Sequence, residues 1–214
     1  SIEYLKDCLI PRQSWHEKFD KYWEPGEIGA QKKLREFLDN GLVGYADGRN
    51  RPDRNNVSRL SPHIHFGEIS PSEIANCLGD IDSEDKERFY TELVWREFSH
   101  NLLFFNPKLD TVNLQEKFNA FSWLKNKAHL DAWQRGNTGY PIVDAGMREL
   151  WETGYMHNRV RMIVGSFLVK NLLHHWHFGR DWFRDTLLDA DDANNNASWQ
   201  WVAGTGADAA PYFR

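Results

Sequence analysis

The sequence predicts an all-α fold, and two observations support this prediction. Helix start and stop signals recur along the chain: the Ser-Pro-Ser-Glu run at 70–73 is a capping box with proline at the first helical position, and Gly136 and Gly154 each follow a helical segment. No segment shows the sustained apolar/polar alternation that is typical of a half-buried strand. We therefore expect one helical domain over residues 1–214, without internal repeats or low-complexity linkers.

The first half of the chain is expected to contain three helices and one long loop. A helix over about 29–39 stops at Asn-Gly, a frequent C-terminal signal. Residues 44–62 are polar and rich in Arg and Asn, which indicates a long loop, and such loops are often functional. The capping box opens a helix over 71–78, and a longer helix covers about 83–104. The apolar residues of the longer helix that fall at core spacing are Phe89, Leu93, Phe98 and Leu102.

The second half is expected to be helical almost throughout. A helix over 129–135 ends at a glycine, and another over 141–153 begins with proline and also ends at a glycine. A long helix then begins at residue 157 or 158 and continues to about 172. Further helices are expected over 181–188 and over part of 191–201.

Composition is that of an ordinary globular chain, with 41% hydrophobic and 27% charged residues among 214. The 10 Trp are unusual, and we expect most of them in an aromatic core. With only Cys8 and Cys77, a disulfide framework is excluded and a reducing, cytoplasmic setting is favoured. No apolar run approaches the roughly 20 residues of a membrane span. The ends at Ser1 and Arg214 indicate a piece of a longer chain.

The formal net charge of −5 argues weakly against a nucleic-acid partner, but the local distribution of charge differs from the total. One basic cluster, within residues 49–59, contains Arg49, Arg51, Arg54 and Arg59. A second, within residues 158–170, contains Arg159, Arg161 and Lys170. The two clusters could form one basic face, or they could be two separate solvated surfaces.

Three groups of polar residues could carry chemistry: Glu92, Trp95 and Arg96; Asn158, Arg161 and Met162; and Asp189, Asp191 and Asn195. In the first two, the i, i+3, i+4 spacing places the side chains on one helix face. Simpler interpretations stay open: a Glu92–Arg96 ion pair, a helix cap at Asn158, or a helix-start pair of Asp189 and Asp191. A metal site is disfavoured, because two carboxylates without nearby His or Cys are poor evidence for one.

Six segments together resemble the photolyase/cryptochrome family, in that family's order and spacing. They are Y-A-D-G-R-N-R-P at 45–52, S-R-L-S-P-H-I-H-F-G-E-I-S at 58–70, E-L-V-W-R-E-F at 92–98, A-W-Q-R-G-N-T-G-Y-P-I-V-D-A-G-M-R-E-L at 132–150, M-H-N-R-V-R-M at 156–162 and D-A-D-D-A-N-N-N-A-S-W-Q-W at 189–201. The resemblance covers nearly the whole chain from about Gly29 onward. It is greatest to the flavin-binding catalytic domain of microbial class I cyclobutane pyrimidine dimer photolyases.

The resemblance implies light-driven repair of pyrimidine dimers in damaged DNA by an electron from excited reduced FAD. It further implies a bacterial protein, monomeric at full length, whose antenna cofactor binds an N-terminal α/β domain that these residues do not include. A cryptochrome-type photoreceptor that binds FAD without repair is the alternative. Asn195, where plant cryptochromes tend to carry Asp, and the absence of a His pair from the lesion pocket favour repair. A helical module without a cofactor is a third possibility.

The resemblance also implies the residues that would hold the cofactor. The diphosphate-holding positions are Tyr45, Ser58, Arg59, Leu60 and Ser61, where hydroxyl and backbone N–H groups at a helix start suit phosphate oxygens. The positions matching contacts to the flavin, its ribityl chain or the ribose are Arg96, Arg161, Asp189, Asp191 and Asn195. Asn195 would face flavin N5. Val57 departs from the family pattern, which usually has Thr there.

For the substrate, the resemblance implies a pocket for a flipped-out dimer flanked by phosphate contacts. The dimer-pocket positions are Glu92, Trp95, Asn158, Met162 and Trp201, whose aromatic, thioether and amide groups suit stacked pyrimidines. Arg49 and Arg159 match phosphate contacts. If Glu92 is buried, it could hold a proton for the split dimer. Trp123, Trp176 and Trp199 match an electron relay to the flavin, although core packing explains buried indoles equally well.

Overall fold

The structure is a computed structural model that describes residues 14–208. Cys8 and both ends of the predicted 1–214 domain lie outside the described residues. The all-α prediction is confirmed, since the described residues are helical or irregular and contain no strand. The α-helices are α1 Glu27–Asn40, α2 Tyr45–Gly48, α3 Ser61–His65, α4 Pro71–Leu78, α5 Glu84–Phe105, α6 Lys127–Gln134, α7 Pro141–Thr153, α8 Asn158–Ser166, α9 Trp176–Thr186 and α10 Asp192–Ala203. Short 3₁₀ helices at Ser14–Lys21 and Glu116–Ala120 and a π-helical turn at Phe167–Asn171 complete them.

Two hydrophobic clusters organise the molecule. The first joins α1, α4 and the start of α5 around side chains such as Leu34, Ile74 and Phe89. The second joins α6 to α10 around Trp133 and Trp176, which are fully buried. Because α10 packs against α5, α8 and α9, it connects the helices of both clusters. The polar residues predicted to form sites therefore lie on helices that are fixed from several sides.

Local signals explain most helix ends. The Ser70 hydroxyl accepts a hydrogen bond from the Glu73 backbone N–H at 3.0 Å, so α4 begins where the capping box predicts. The second half of a capping box is not formed, because the Glu73 carboxylate accepts from the Gln31 side chain instead. Helix α7 ends at Gly154, whose φ of 68° lies in the left-handed region that glycine favours.

Several predicted elements differ from the structure. The loop predicted over 44–62 is shorter, because α2 and the start of α3 lie inside it. The long helix predicted to reach 172 changes to a π-helical turn after Ser166. Phe98 was predicted to face the core, yet 45% of its surface is exposed. The helix predicted from 181 begins at Trp176, because the His175 ring caps it in place of the usual Ser, Asp or Asn.

No helix within residues 14–208 combines the length and the apolar composition that crossing a bilayer requires. The aromatic-core prediction holds for the buried indoles Trp133, Trp176 and Trp199, and Trp123 and Trp182 pack against the same cluster. Two other indoles, Trp95 and Trp151, are exposed instead.

Candidate functional site

A buried carboxylate joins three separate parts of the chain at the centre of the molecule. The Arg161 guanidinium donates to Asp189 through Nη1 at 3.0 Å and Nη2 at 2.7 Å. The Ser61 hydroxyl donates to the same carboxylate at 2.6 Å. The first turn of α3, helix α8 and the segment before α10 therefore meet at Asp189, whose side chain is 3% exposed. Such a bidentate, hydrogen-bonded ion pair fixes both charged groups in one orientation.

Several neighbouring groups hold the Arg161 side chain in place. Burial alone would lower its pKa, but the ion pair with Asp189 raises it, so the guanidinium stays charged. Its Nε donates to the Met156 carbonyl at 2.7 Å. The guanidinium carbons of Arg161 and Arg59 lie 5.3 and 5.2 Å from the centroid of the Tyr155 ring, at cation–π distance. Tyr155 is thus a shared support for two cations, and burial raises its own pKa.

Asp191 and Asn195 lie on the first turns of α10. The Asp191 carboxylate caps this helix by accepting the Asn194 backbone N–H at 2.8 Å, which bears out the helix-start interpretation for this residue. Its partner in that interpretation, Asp189, bonds Arg161 and Ser61 instead. The Asn195 amide nitrogen donates to the Arg180 carbonyl at 3.1 Å. That bond orients the amide, and it leaves the side-chain oxygen as the atom that can accept from a ligand.

Glu92 pairs with a residue far away in the sequence. Its carboxylate lies 2.7 Å from the Arg49 guanidinium, whereas Arg96 contacts Glu97 at 3.2 Å. The simple Glu92–Arg96 ion pair is therefore wrong. The condition for the proton-holding hypothesis, burial of Glu92, is not met either, because its side chain is 32% exposed. Trp95, on the same helix, exposes half of its surface.

The two basic clusters meet between α2 and α8. Arg159 donates through Nε to the Asn50 side-chain oxygen at 2.9 Å, and its Nη1 lies 3.4 Å from the Met162 sulfur. The two clusters therefore touch through Arg159 and Asn50, and one basic face formed by all of their cations stays a prediction. Asn158 does not cap α8: the His157 ring does, by accepting the Arg159 backbone N–H at 3.2 Å. Asn158 is exposed at the start of the helix.

The predicted diphosphate turn precedes and begins α3. Arg59 adopts a φ of 53°, which few non-glycine residues do, and Ser58 Oγ accepts the Leu60 backbone N–H at 3.4 Å. Tyr45 and Leu60 are buried. The apolar Val57 lines a cavity of about 200 Å³ beside this turn, so a ligand that enters there meets a methyl group where the family has a hydroxyl.

Two residues of that cavity are not among the predicted site residues. Glu149 and Tyr155 line it together with Arg59 and His157. Burial raises the pKa of Glu149, and the charges of Arg59 and Arg161 oppose this shift. The position of Glu149 beside the turn at Arg59 is visible only after folding. The residue type alone could not single it out, because α7 carries three acids, Asp144, Glu149 and Glu152.

The three indoles matched to an electron relay lie in or against the second cluster. Among the described residues, none of these three rings is in direct contact with another of the three. Trp123 and Trp176 both contact the His175 ring, at centroid distances of 5.3 and 5.7 Å. Trp199 contacts Phe183 at 5.0 Å and Trp133 at 6.2 Å. Trp201, matched to the dimer pocket, lies half-buried on α10.

Gly179 lets Trp199 approach α9, so replacing it with alanine should force the indole to move. An added Cβ would lie 2.1 Å from Cη2 of Trp199, far inside van der Waals contact. We expect Gly179→Ala to lower the free energy of unfolding by about 1–3 kcal/mol in urea titrations. Gly165→Ala is the matched control, because its Cβ would meet the same indole at an ordinary 3.5 Å. Equal effects of both variants would contradict the steric argument.

Comparison with known proteins assigns the family. The family model described as the FAD binding domain of DNA photolyase matches residues 89–214, more than half of the chain. The chain belongs to this family. The deoxyribodipyrimidine photo-lyase of Agrobacterium fabrum is 53% identical to this photolyase-family chain over 211 residues, which are 96% of this chain and 44% of that protein. The chain thus spans less than half the length of this curated relative.

Solved structures agree with this assignment. A bacterial class III photolyase from Agrobacterium tumefaciens is 51% identical, with a TM-score of 0.93 over 100% of this chain and 45% of the other. A cryptochrome from Synechocystis is 31% identical, with a TM-score of 0.82 over 89% of this chain and 41% of the other. The fold is therefore that of photolyases and cryptochromes. The class I assignment stays a prediction, since this similar structure is described as class III.

Proposed function

We propose that this chain is the FAD-binding and lesion-binding part of an enzyme that repairs cyclobutane pyrimidine dimers in DNA with light. The observation that carries the proposal is the position of helix α8. Arg161 points to the Asp189 network, whereas Arg159 bonds Asn50 and contacts the Met162 sulfur. One helix therefore connects the residues matched to the cofactor with the residues matched to the lesion.

The residues of the Asp189 network fit a flavin by their chemistry. Arg161 supplies a cation and the open amide oxygen of Asn195 supplies an acceptor, while the Ser61 hydroxyl donates to Asp189 and keeps its oxygen as a second acceptor. FAD is polar at its phosphates and hydrogen-bonding at its ring, so it can use both kinds of group. Asn195 would accept from N5 through its side-chain oxygen, while the turn at 58–61, with Tyr45, would hold the diphosphate. The chemistry that bound FAD supplies is light absorption and a one-electron exchange with the dimer.

The residues matched to DNA suit a base flipped out of the duplex. The exposed indole of Trp95 offers a stacking face, and Asn158 is exposed at the start of α8. Glu92 and Arg49 hold each other in the absence of DNA. A phosphate reaching Arg49 would compete for this guanidinium and free the carboxylate of Glu92 to accept from a base. Trp201 and Met162 would complete the walls.

Blue-light repair of dimer-containing DNA by the FAD-loaded protein tests the proposal. We expect dimers to disappear only when the flavin is reduced before illumination. Asn158→Ala should lower dimer-specific affinity by about tenfold or more, because it removes an exposed amide from the pocket wall. Asn40→Ala, at an exposed amide at the end of α1, is the matched control and should change nothing.

The similarity to a cryptochrome makes a photoreceptor without repair the second candidate. The same experiment separates the two. Protein that binds and reduces FAD yet leaves every dimer intact would overturn the repair proposal in favour of the photoreceptor. Protein that stays colourless after incubation with FAD would overturn both.

A further inference from the structure

The middle indole of the proposed relay, Trp176, has a polar surrounding that packing alone does not explain. It is fully buried, and its Nε1–H donates to the Asn113 side-chain oxygen at 2.9 Å. The Arg180 guanidinium carbon lies 5.4 Å from the centroid of the Trp176 ring. The rings of His175 and His177 contact it at 5.7 and 4.1 Å. A buried indole thus has one neutral acceptor, one cation and two imidazoles around it.

The imidazoles are neutral, which leaves Arg180 as the cation beside the ring. His175 caps α9 with its Nδ1 lone pair, so this nitrogen carries no proton. Burial lowers the pKa of both His175 and His177, and Arg180 adds to each shift. Arg180 itself is 12% exposed and pairs with Asp181 at 2.7 Å, while Asp181 is mostly in solvent. A further bond from Arg180 to the Asp110 carbonyl fixes the guanidinium in place.

We propose that Arg180 and Asn113 set the redox behaviour of Trp176. The oxidised indole of Trp176 would then be short-lived and would keep its Nε1 proton. This inference rests on the relay in the proposed function. In that relay, Trp199 would give one electron to a bound, photoexcited flavin, Trp176 would give one to Trp199, and Trp123 would give one to Trp176. Arg180 and Asn113 act through Trp176, so they are positioning residues and not catalytic ones.

The physical reason is electrostatic. A cation near the face of a neutral indole attracts it, but the same cation repels the positive charge of an oxidised indole. The positive hole is therefore disfavoured on Trp176 and moves on to Trp123. An amide oxygen is not a base, so Asn113 cannot remove the Nε1 proton, and Trp176 is oxidised to a radical cation. Asn113 is itself fixed, because its amide nitrogen donates to Asn119 at 2.8 Å.

Transient absorption after a blue flash tests the inference in FAD-loaded protein with Trp123→Phe, which confines the hole to Trp199 and Trp176. Charge recombination then depends on how often the hole returns to Trp199. Arg180→Gln should lengthen the radical lifetime by about tenfold, since removal of the cation stabilises the hole on Trp176. Arg180→Lys keeps the charge and should leave the lifetime unchanged. Asp181→Asn removes the opposing charge and should shorten it.

The proton prediction has its own signature. With Asn113, the flash should produce the spectrum of an indole radical cation; Asn113→Asp supplies a base and should convert it to the neutral radical. In flavin-free protein, ultraviolet resonance Raman difference spectra against Trp176→Phe should show a hydrogen-bonded indole N–H that Asn113→Leu abolishes. This readout does not depend on the cofactor.

The possible failures are distinguishable. A radical whose lifetime is the same with Arg180 and with Gln at that position overturns the inference and leaves the relay intact. Protein that holds FAD but gives no flash-induced indole radical overturns the relay and the inference together. A Raman spectrum that shows no hydrogen bond at the Trp176 N–H overturns the geometry on which the proton prediction depends.

Discussion

Asp189→Ala is expected to lower the free energy of unfolding by about 3–5 kcal/mol, the usual cost of leaving a buried charge without its partner. Arg161 lies among Tyr155, Met156 and Asp189, and Asp189 is the only carboxylate that the described residues place in an ion pair with it. The variant would also strand the Ser61 hydroxyl. Urea titration followed by tryptophan fluorescence measures the effect.

A surface ion pair provides the control. Asp192 pairs with Arg184 at 3.3 Å, and both side chains are more than half exposed. Asp192→Ala should therefore cost less than about 1 kcal/mol. The double variant Asp189→Ala, Arg161→Leu should recover part of the loss, because it removes the stranded charge as well. If Asp189→Ala lowers the free energy of unfolding no more than Asp192→Ala does, the Asp189 network does not stabilise the fold, contrary to what its geometry indicates.

The same network shows where sequence reasoning stops. Gly154 and the capping box at 70–73 act on neighbouring residues, so helices α7 and α4 could be predicted to within a residue. Ser61 and Asp189 are 128 residues apart, and no local pattern joins them. Only the resemblance to a family selected both. The family pattern gives a role for each residue but not the partner it binds in this chain.

Glu92 illustrates the same limit on a charged residue. An arginine four residues ahead on the same helix is the nearest partner by sequence, and helix geometry permits the pair. Tertiary packing brings Arg49 within 2.7 Å of the Glu92 carboxylate, while Arg96 pairs with Glu97. Helix α9 begins earlier than predicted for a comparable reason: histidine is an uncommon cap, so the sequence pattern did not mark His175 as the start of a helix.

Acid should destabilise the protein before its ordinary carboxylates titrate, and His177 should contribute most. Burial, together with His175 and Arg180, lowers the pKa of His177 from 6.5 to about 4. The folded protein therefore holds a neutral ring where the unfolded chain takes a proton below pH about 6.5. Stability contributed by the neutral ring is present above that pH and is lost as the pH falls towards 4. The loss from His177 alone would be about 3 kcal/mol.

The pKa values of three further histidines are lowered in the same way, so these residues should steepen the loss of stability as the pH falls. Burial lowers the pKa of His157, His174 and His175, and charges near each ring add to the shift. The Nε2 of His177 is buried without a hydrogen-bond partner among the described residues, so protonation would place charge where nothing accepts it. Free energies of unfolding measured in urea between pH 7 and pH 4 give the slope.

His177→Gln removes the contribution of this ring together with its coupling to His175, whose ring centroid lies 4.2 Å away, while the distant titrating groups cancel in the difference from the parent protein. The slope of unfolding free energy against pH should fall by up to about 1.4 kcal/mol per pH unit in the variant. His65→Gln is the control, because its ring packs on the exposed Phe66 and not beside the relay indoles. A parent protein whose stability stays constant from pH 6.5 to pH 4 would show that these imidazoles take up protons as readily in the folded protein as in the unfolded chain. The surrounding of Trp176 would then not keep them neutral below pH 6.5, and Arg180 would not be the sole cation beside that ring among the described residues at that pH.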